Sequence, residues 1–318
     1  MHLSKTVTYG RLAVACTFLC MLVTPGLART KIGVLFKDKL PGFWTFAEKG
    51  AMEAGAALDV DVIVRAPPSV LDVSSQARLL NGLVAENIDA LVIASTNPET
   101  VESIVSDLAQ KGVKIVTVDT PLKDGLAQVF VGADQVAVAE AATKLFLSIA
   151  QDGEEVAMLR NNSLDRTVLT REETFREGLK ARPNLTLHAN IFASSERNSE
   201  GDQATLLLNK FPKTAVVFAS ASRGTMAMIK AVRDSGLTGK VKVVGFGTYF
   251  PEEAVKAFDE GILYGFVAQE PKSLGATAVK SAVALLAGKS VPPFVRPDFM
   301  VITRENFKSS EAQALINP

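Results

Sequence analysis

From residue 31 onward, short runs rich in valine and isoleucine alternate with amphipathic stretches long enough for helices. A strand that is apolar on both faces needs helices above and below it, so the alternation predicts an α/β chain with a doubly wound parallel sheet. In the first half the predicted strands are 32–36, 60–64, 90–94, 114–118 and 129–131, with helices at 43–57, 74–86 and 98–110. Phe43, Phe46, Ala47, Gly50, Ala51 and Ala54 recur at i, i+3, i+4, which gives the first helix one face for the sheet, and Gly55 is its expected stop.

After a predicted helix at 135–150 the pattern restarts. Strands are expected at 155–159, 186–192, 215–218 and 241–245, separated by helices at 167–181, 199–208 and 223–235. A further strand at 263–267, a helix at 271–286 and the proline-rich Val291-Pro292-Pro293-Phe294 predict that the chain recrosses between two similar lobes. No repeat of 20 to 50 residues is present, which excludes a solenoid.

Residues 1–28 read as a cleavable export signal. Lys5 and Arg11 precede a 12-residue apolar run, Leu12 to Val23, and the small Gly26 and Ala28 follow it. Such a run is shorter than the ~20 residues that span a bilayer as a helix. Removing 28 of 318 residues leaves 290, more than one domain usually holds. Both cysteines, Cys16 and Cys20, leave with the signal, so no disulfide or thiolate chemistry is expected. Lys5 and Arg11 leave too, so 32 basic residues face 34 acidic ones, and binding to nucleic acid through a basic field is disfavoured.

Motifs mostly eliminate. His188 is the only histidine beyond the signal, so His-based triads and multi-His metal sites are not expected. Neither G-x-G-x-x-G nor G-x-x-x-x-G-K-[ST] follows a strand, which leaves no cofactor to predict. What remains lies at the carboxyl ends of strands, where open α/β sheets place ligands. These residues are Lys37 and Asp38, Ser95 to Asn97, Asp119 and Thr120, Ser220 to Arg223 including Ser222, and Thr248 and Tyr249. An isolated serine or aspartate in such a place is more often a helix cap, but Asp119 directly follows Ile115 to Val118 and projects from the ligand edge. Phe43 and Trp44 follow a Pro-Gly turn and can cover the apolar face of a ring.

In Lys31 to Phe36, Gly42-Phe43-Trp44 to Ala51, Ile88 to Ile93, Val116 to Thr120, Val243 to Phe246 and Val267-Ala268-Gln269, the chain resembles the periplasmic sugar-binding proteins of the ribose-binding and lactose-repressor core family. The resemblance spans nearly the whole chain beyond the signal. It implies the type I fold, with two doubly wound lobes joined by three hinge crossings: 29–132 plus about 269–293, and 133–268 plus about 294–318. It further implies a monomer that captures a sugar, polyol, inositol or derivative between its lobes. The captured ligand would pass to an ABC permease and its ATPase in the inner membrane, without catalysis.

Residue by residue, the resemblance assigns the aromatic sandwich to Phe43 and Trp44, the hydroxyl-accepting acid to Asp119, the second-lobe guanidinium to Arg171 and the hinge amide to Gln269. The departures are Pro41-Gly42 in place of an asparagine, Thr120 in place of an arginine, and Ala94, Ala221 and Gly247 in place of polar residues. A standard monosaccharide loses hydroxyl partners there, unless Lys37, Ser95, Ser222, Arg223 and Tyr249 replace them. Lys37, Arg171 and Arg223 together would suit an acidic group if all three faced the cleft. A second class of function uses the same closure to signal to a chemoreceptor or sensor kinase. A transcription factor is disfavoured, since the signal stands where a DNA-binding headpiece would be.

Overall fold

The computed structural model describes residues 1–2, 29–162, 164–193, 199–247, 252–297 and 299–316. The expected signal at 1–28 and the candidates Thr248 and Tyr249 therefore lie largely or wholly outside the described residues.

Twelve strands and ten α-helices follow one another in the described residues. They are β1 Lys31–Leu35, α1 Phe43–Ala57, β2 Asp61–Arg65, α2 Val73–Ala85, β3 Ala90–Ile93, α3 Glu102–Gln110, β4 Lys114–Val118, β5 Val129–Val131, α4 Gln135–Leu147, β6 Glu155–Arg160 and α5 Arg166–Leu179. The chain continues with β7 Thr186–Phe192, α6 Glu200–Lys210, β8 Thr214–Ala219, α7 Ser222–Asp234, β9 Lys242–Gly247, α8 Glu252–Asp259, β10 Leu263–Gln269, α9 Pro271–Leu286, β11 Phe294–Val295, β12 Phe299–Thr303 and α10 Ser310–Ile316. They form two six-stranded sheets, ordered β11-β5-β4-β3-β1-β2 and β12-β10-β9-β8-β6-β7. Every strand pair is parallel except β10 with β12, which closes the edge of the second sheet.

Each sheet has an apolar core on both faces, which is why its strands read as continuous hydrophobic runs. In the first lobe, Ile32, Val34, Val92 and Val116 pack against the side carrying Ala47, Ala51 and Leu274, while Leu35, Leu91 and Ile115 pack against Leu80, Leu83 and Val105. In the second, Val156, Phe218 and Val244 meet Phe146 and Phe175 on one face, and Val217, Val243 and Phe266 meet Leu207, Met228 and Phe258 on the other.

Helix α9 follows the second sheet in sequence but packs on α1 of the first lobe, at very close range. A Cβ on Gly50 would lie 1.9 Å from the Lys272 carbonyl oxygen, and one on Gly275 would lie 1.9 Å from that of Ala47. Gly55 is also a packing residue rather than the expected stop. The helix runs on to Ala57, Asp59 turns the chain with φ 54°, and a Cβ on Gly55 would meet Val62 Cγ2 at 2.3 Å.

Among the described residues the chain crosses between lobes three times: between β5 and α4, at Glu270, and after Val295. Gln269 still pairs with Phe299 in the second sheet. Phe294 and Val295 pair with Phe130 and Val131 of the first, two residues beyond the expected limit of 293. Helices α8 and α10 and strand β12 extend the second lobe beyond what the periodicity predicts.

Candidate functional site

The carboxyl ends of both sheets face each other across a cavity of about 720 Å³, its open mouth included. On the first lobe, β1 runs into Phe36 and Lys37, both buried, and Gly42 with φ 132° turns the chain into α1. Only glycine adopts that backbone without strain. The turn presents Trp44, stacked on Phe36 at 5.2 Å and edge-on to Phe43 at 4.8 Å, as an aromatic wall. Asp119 follows β4 in the left-handed region, with φ 61°. Its backbone N–H donates to Val131 and that of Thr120 donates to Val118 at 2.6 Å, a tight turn that lifts the carboxylate out of the sheet.

On the second lobe, Asp165 caps α5 by accepting from the Thr167 N–H at 3.1 Å, and the Asn162 side chain accepts from the N–H groups of Leu164 and Asp165, each at 2.8 Å. One and a half turns further along α5, Arg171 is 3% exposed. Its Nε and Nη2 donate to Gln135 Oε1 at 3.0 and 2.9 Å, its Nη1 donates to the Ser220 carbonyl at 2.5 Å, and the guanidinium lies 3.5 Å from the centre of the Phe246 ring. Burial draws its pKa down to about 10, against the pull of Asp119, Asp165 and Glu172, so it stays charged at neutral pH. Glu172 braces the same corner, accepting from Arg160 Nε at 2.7 Å, the Asn161 N–H at 2.9 Å and the Ser220 hydroxyl at 2.7 Å.

Several bonds span the lobes. Lys37 Nζ donates to Asp119 Oδ2 at 2.7 Å within its own lobe and to Asp165 Oδ1 at 2.8 Å in the other. The hydroxyls of Thr120 and Thr167 are 2.6 Å apart, Thr167 Oγ1 donates to the Asp119 carbonyl at 3.0 Å, and Arg223 Nη2 lies 3.5 Å from Asp38 Oδ2. Burial opposes the Lys37 charge, but the two carboxylates outweigh it and hold the ammonium above its ordinary 10.5. Burial raises the Asp38 carboxyl above 3.8 despite Arg223, which also pairs with Glu200 at 3.1 Å.

Of the residues singled out in the sequence, Phe43, Trp44, Asp119, Arg171, Ser222, Arg223 and Gln269 line this cavity together. Lys37 lies outside its lining, fully buried between the two aspartates. Ser95 is fully buried in the first lobe with no hydrogen-bond partner for its hydroxyl and is not part of the lining. Tyr249 is outside the described residues. The structure adds Val70, Asn161, Asp165, Thr167, Val168 and Phe246 to the lining. Asp165 carried a signal, an acid directly before a helix, but that signal reads equally as a cap, and it serves as one.

Residues 32–290 match the family described as periplasmic binding protein domain. The D-allose-binding periplasmic protein of Escherichia coli K12 is 29% identical over 291 residues, covering 89% of this chain and 93% of that protein. The ribose import binding protein of Bacillus subtilis 168 is 26% identical over 220 residues, covering 69% and 70%. Among solved structures, a solute-binding protein from Agrobacterium vitis bound to α-D-tagatopyranose superposes with a TM-score of 0.82 at 25% identity, covering 91% of this chain and 99% of the other. A carbohydrate solute-binding protein from Agrobacterium radiobacter in complex with D-arabinose gives a TM-score of 0.83 at 24% identity, covering 92% and 100%. With two doubly wound lobes, three crossings and a polar, aromatic cleft between them, the chain belongs to the periplasmic binding protein domain family, in its type I fold.

Proposed function

We propose that this protein is an exported binding subunit that captures an uncharged monosaccharide or polyol between its lobes and hands it to an ABC importer. The observation that carries the reading is the pairing of charges around the cleft. Lys37 is spent on Asp119 and Asp165, and Arg223 on Asp38 and Glu200, so an acidic ligand gains no free cation from either. Arg171, bound to the Gln135 amide oxygen and the Ser220 carbonyl, is balanced by the nearby aspartates and retains N–H groups for a hydroxyl. A sugar offers what such a site needs: C–H faces for Phe43 and Trp44, and hydroxyls for the carboxylates and the guanidinium fork.

The mechanism is closure. A ligand that touches Asp119 and Trp44 on one side and Arg171 and Ser222 on the other binds the closed form better and draws the hinge towards it. The relatives' names, which pair allose and ribose with periplasmic binding and import, support the same role, as does the signal-like segment ahead of residue 29.

Trp44 is the single tryptophan of the chain and lines the cavity, so its fluorescence reports occupancy directly. The test is a titration with D-allose, D-ribose, D-arabinose, D-tagatose, myo-inositol and galacturonate, followed by Trp44 emission and melting temperature. A neutral member of the panel is expected to shift both. Galacturonate binding more tightly than every neutral compound would refute the charge argument.

A further inference from the structure

Lys37 has more to do than fill space under the cleft. Its side chain is wholly inaccessible, and its ammonium is held by one carboxylate from each lobe, at 2.7 and 2.8 Å, with the Thr167 hydroxyl at 3.5 Å. A buried lysine is costly unless its charge is matched; Asp119 supplies one partner from the same lobe, and the second, Asp165, is in reach only while the lobes are together. Opening the hinge separates Lys37 and Asp119 from Asp165. Closing without the ammonium would instead bring two carboxylates against each other across the cleft, which like charges oppose.

Arg171 feels both acids, so Lys37 and Arg171 balance Asp119 and Asp165, while Glu172, which also acts on Arg171, is balanced by Arg160. Each aspartate also gives only one oxygen to Lys37, which leaves Asp119 Oδ1 and Asp165 Oδ2 for other partners.

We propose that Lys37 is a positioning and specificity-determining residue, an internal cation that ties Asp119 to Asp165 across the cleft, favours lobe closure before any ligand arrives, and reserves the site for uncharged ligands. It occupies the place that the amine of a cationic ligand would otherwise take between the two acids. The proposal concerns the lobes' own equilibrium, so it stands or falls separately from the choice of sugar.

The experiment measures the interlobe distance distribution of the ligand-free protein with a pair of spin labels, one on each lobe's surface. Wild type, Lys37→Met, Asp165→Asn and the double variant are compared, with circular dichroism to verify folding. Wild type is expected to populate a short-distance, closed form, and Lys37→Met to lower the closed-to-open ratio by at least about tenfold. The double variant, which removes the facing charge as well, is expected to recover part of that loss. Asp165→Asn keeps the helix cap and the Lys37–Asp119 pair but breaks the tie, so it must open the protein even if Lys37→Met fails to fold.

A second readout compares D-glucose with D-glucosamine in Trp44 titrations, where Lys37→Met is expected to shift the affinity ratio at least about tenfold towards the amine. Ligand-free distances that are the same in wild type, Lys37→Met and Asp165→Asn would overturn the tie. An unchanged amine-to-hydroxyl ratio would overturn the specificity role.

Discussion

Arg171 is the residue on which second-lobe geometry and ligand binding both depend, and Arg171→Met separates the two. The substitution keeps an apolar contact on Phe246 but deletes three hydrogen bonds, two to Gln135 Oε1 and one to the Ser220 carbonyl. Each acceptor left unpaired in the interior costs about 1–3 kcal/mol, and loss of the stacked cation costs up to about 2 kcal/mol more. Release of the guanidinium from its burial offsets part of this, as its lowered pKa indicates. The net expectation is a loss of about 3 kcal/mol, within the ~5–15 kcal/mol that holds a folded domain together. Helix α5 remains anchored through Phe175, stacked on Phe218 at 4.1 Å and edge-on to Phe146 at 5.1 Å.

Urea unfolding of the ligand-free protein measures the loss, and Trp44 titration of the folded variant measures binding. Deleting a charge-assisted donor of about 1.5–3 kcal/mol should weaken affinity about tenfold to a hundredfold. Arg171→Lys keeps the charge without the fork and should fall between. A stability change below about 1 kcal/mol together with unaltered affinity would refute the assigned role of the guanidinium.

Asp119→Asn tolerates the positive φ of this position but takes one of two carboxylates from buried Lys37, so it should cost about 1.5–3 kcal/mol in stability and lose at least about tenfold in ligand affinity; equal affinity would remove Asp119 from the site. Gly50→Ala drives a methyl into the Lys272 carbonyl and should cost about 3 kcal/mol or more in chemical denaturation, whereas Gly82→Ala, with nothing within 4 Å, should gain about 0.5–1 kcal/mol. Asp38 has its carboxyl raised above 3.8, chiefly by burial, so the folded protein holds that proton more readily than the unfolded chain. Above the raised pKa the buried charge is a net cost to folding, and the cost fades as pH falls towards 3.8. Asp38→Asn should therefore raise the melting temperature at neutral pH, by an amount that shrinks as the pH is lowered; a constant difference across the titration would contradict this.

The fold was legible because its cause is periodic. Alternating Val/Ile runs and amphipathic helices, restarting after Gln135, specify two doubly wound sheets whatever their ligand, and ten expected strands appear with ends shifted by at most two residues. Asp119 is singled out by its place at the end of a strand, and Arg171 and Gln269 by resemblance alone; with Phe43 and Trp44 they line the interlobe cavity.

Tertiary structure alone decided how the charges combine. Lys37 and Asp165 are 128 residues apart, and Asp38 and Arg223 belong to different lobes; pairings of this kind leave no trace in spacing or composition. In the sequence, Lys37, Arg171 and Arg223 could be counted as three cations for an acidic ligand. In space, two of them are already matched by acids from their own and the opposite lobe, and Ser95 is turned into the core. Local pattern selects strands and helices because burial is periodic along the chain, whereas the charge a ligand meets depends on which side chains converge once both lobes are folded and closed.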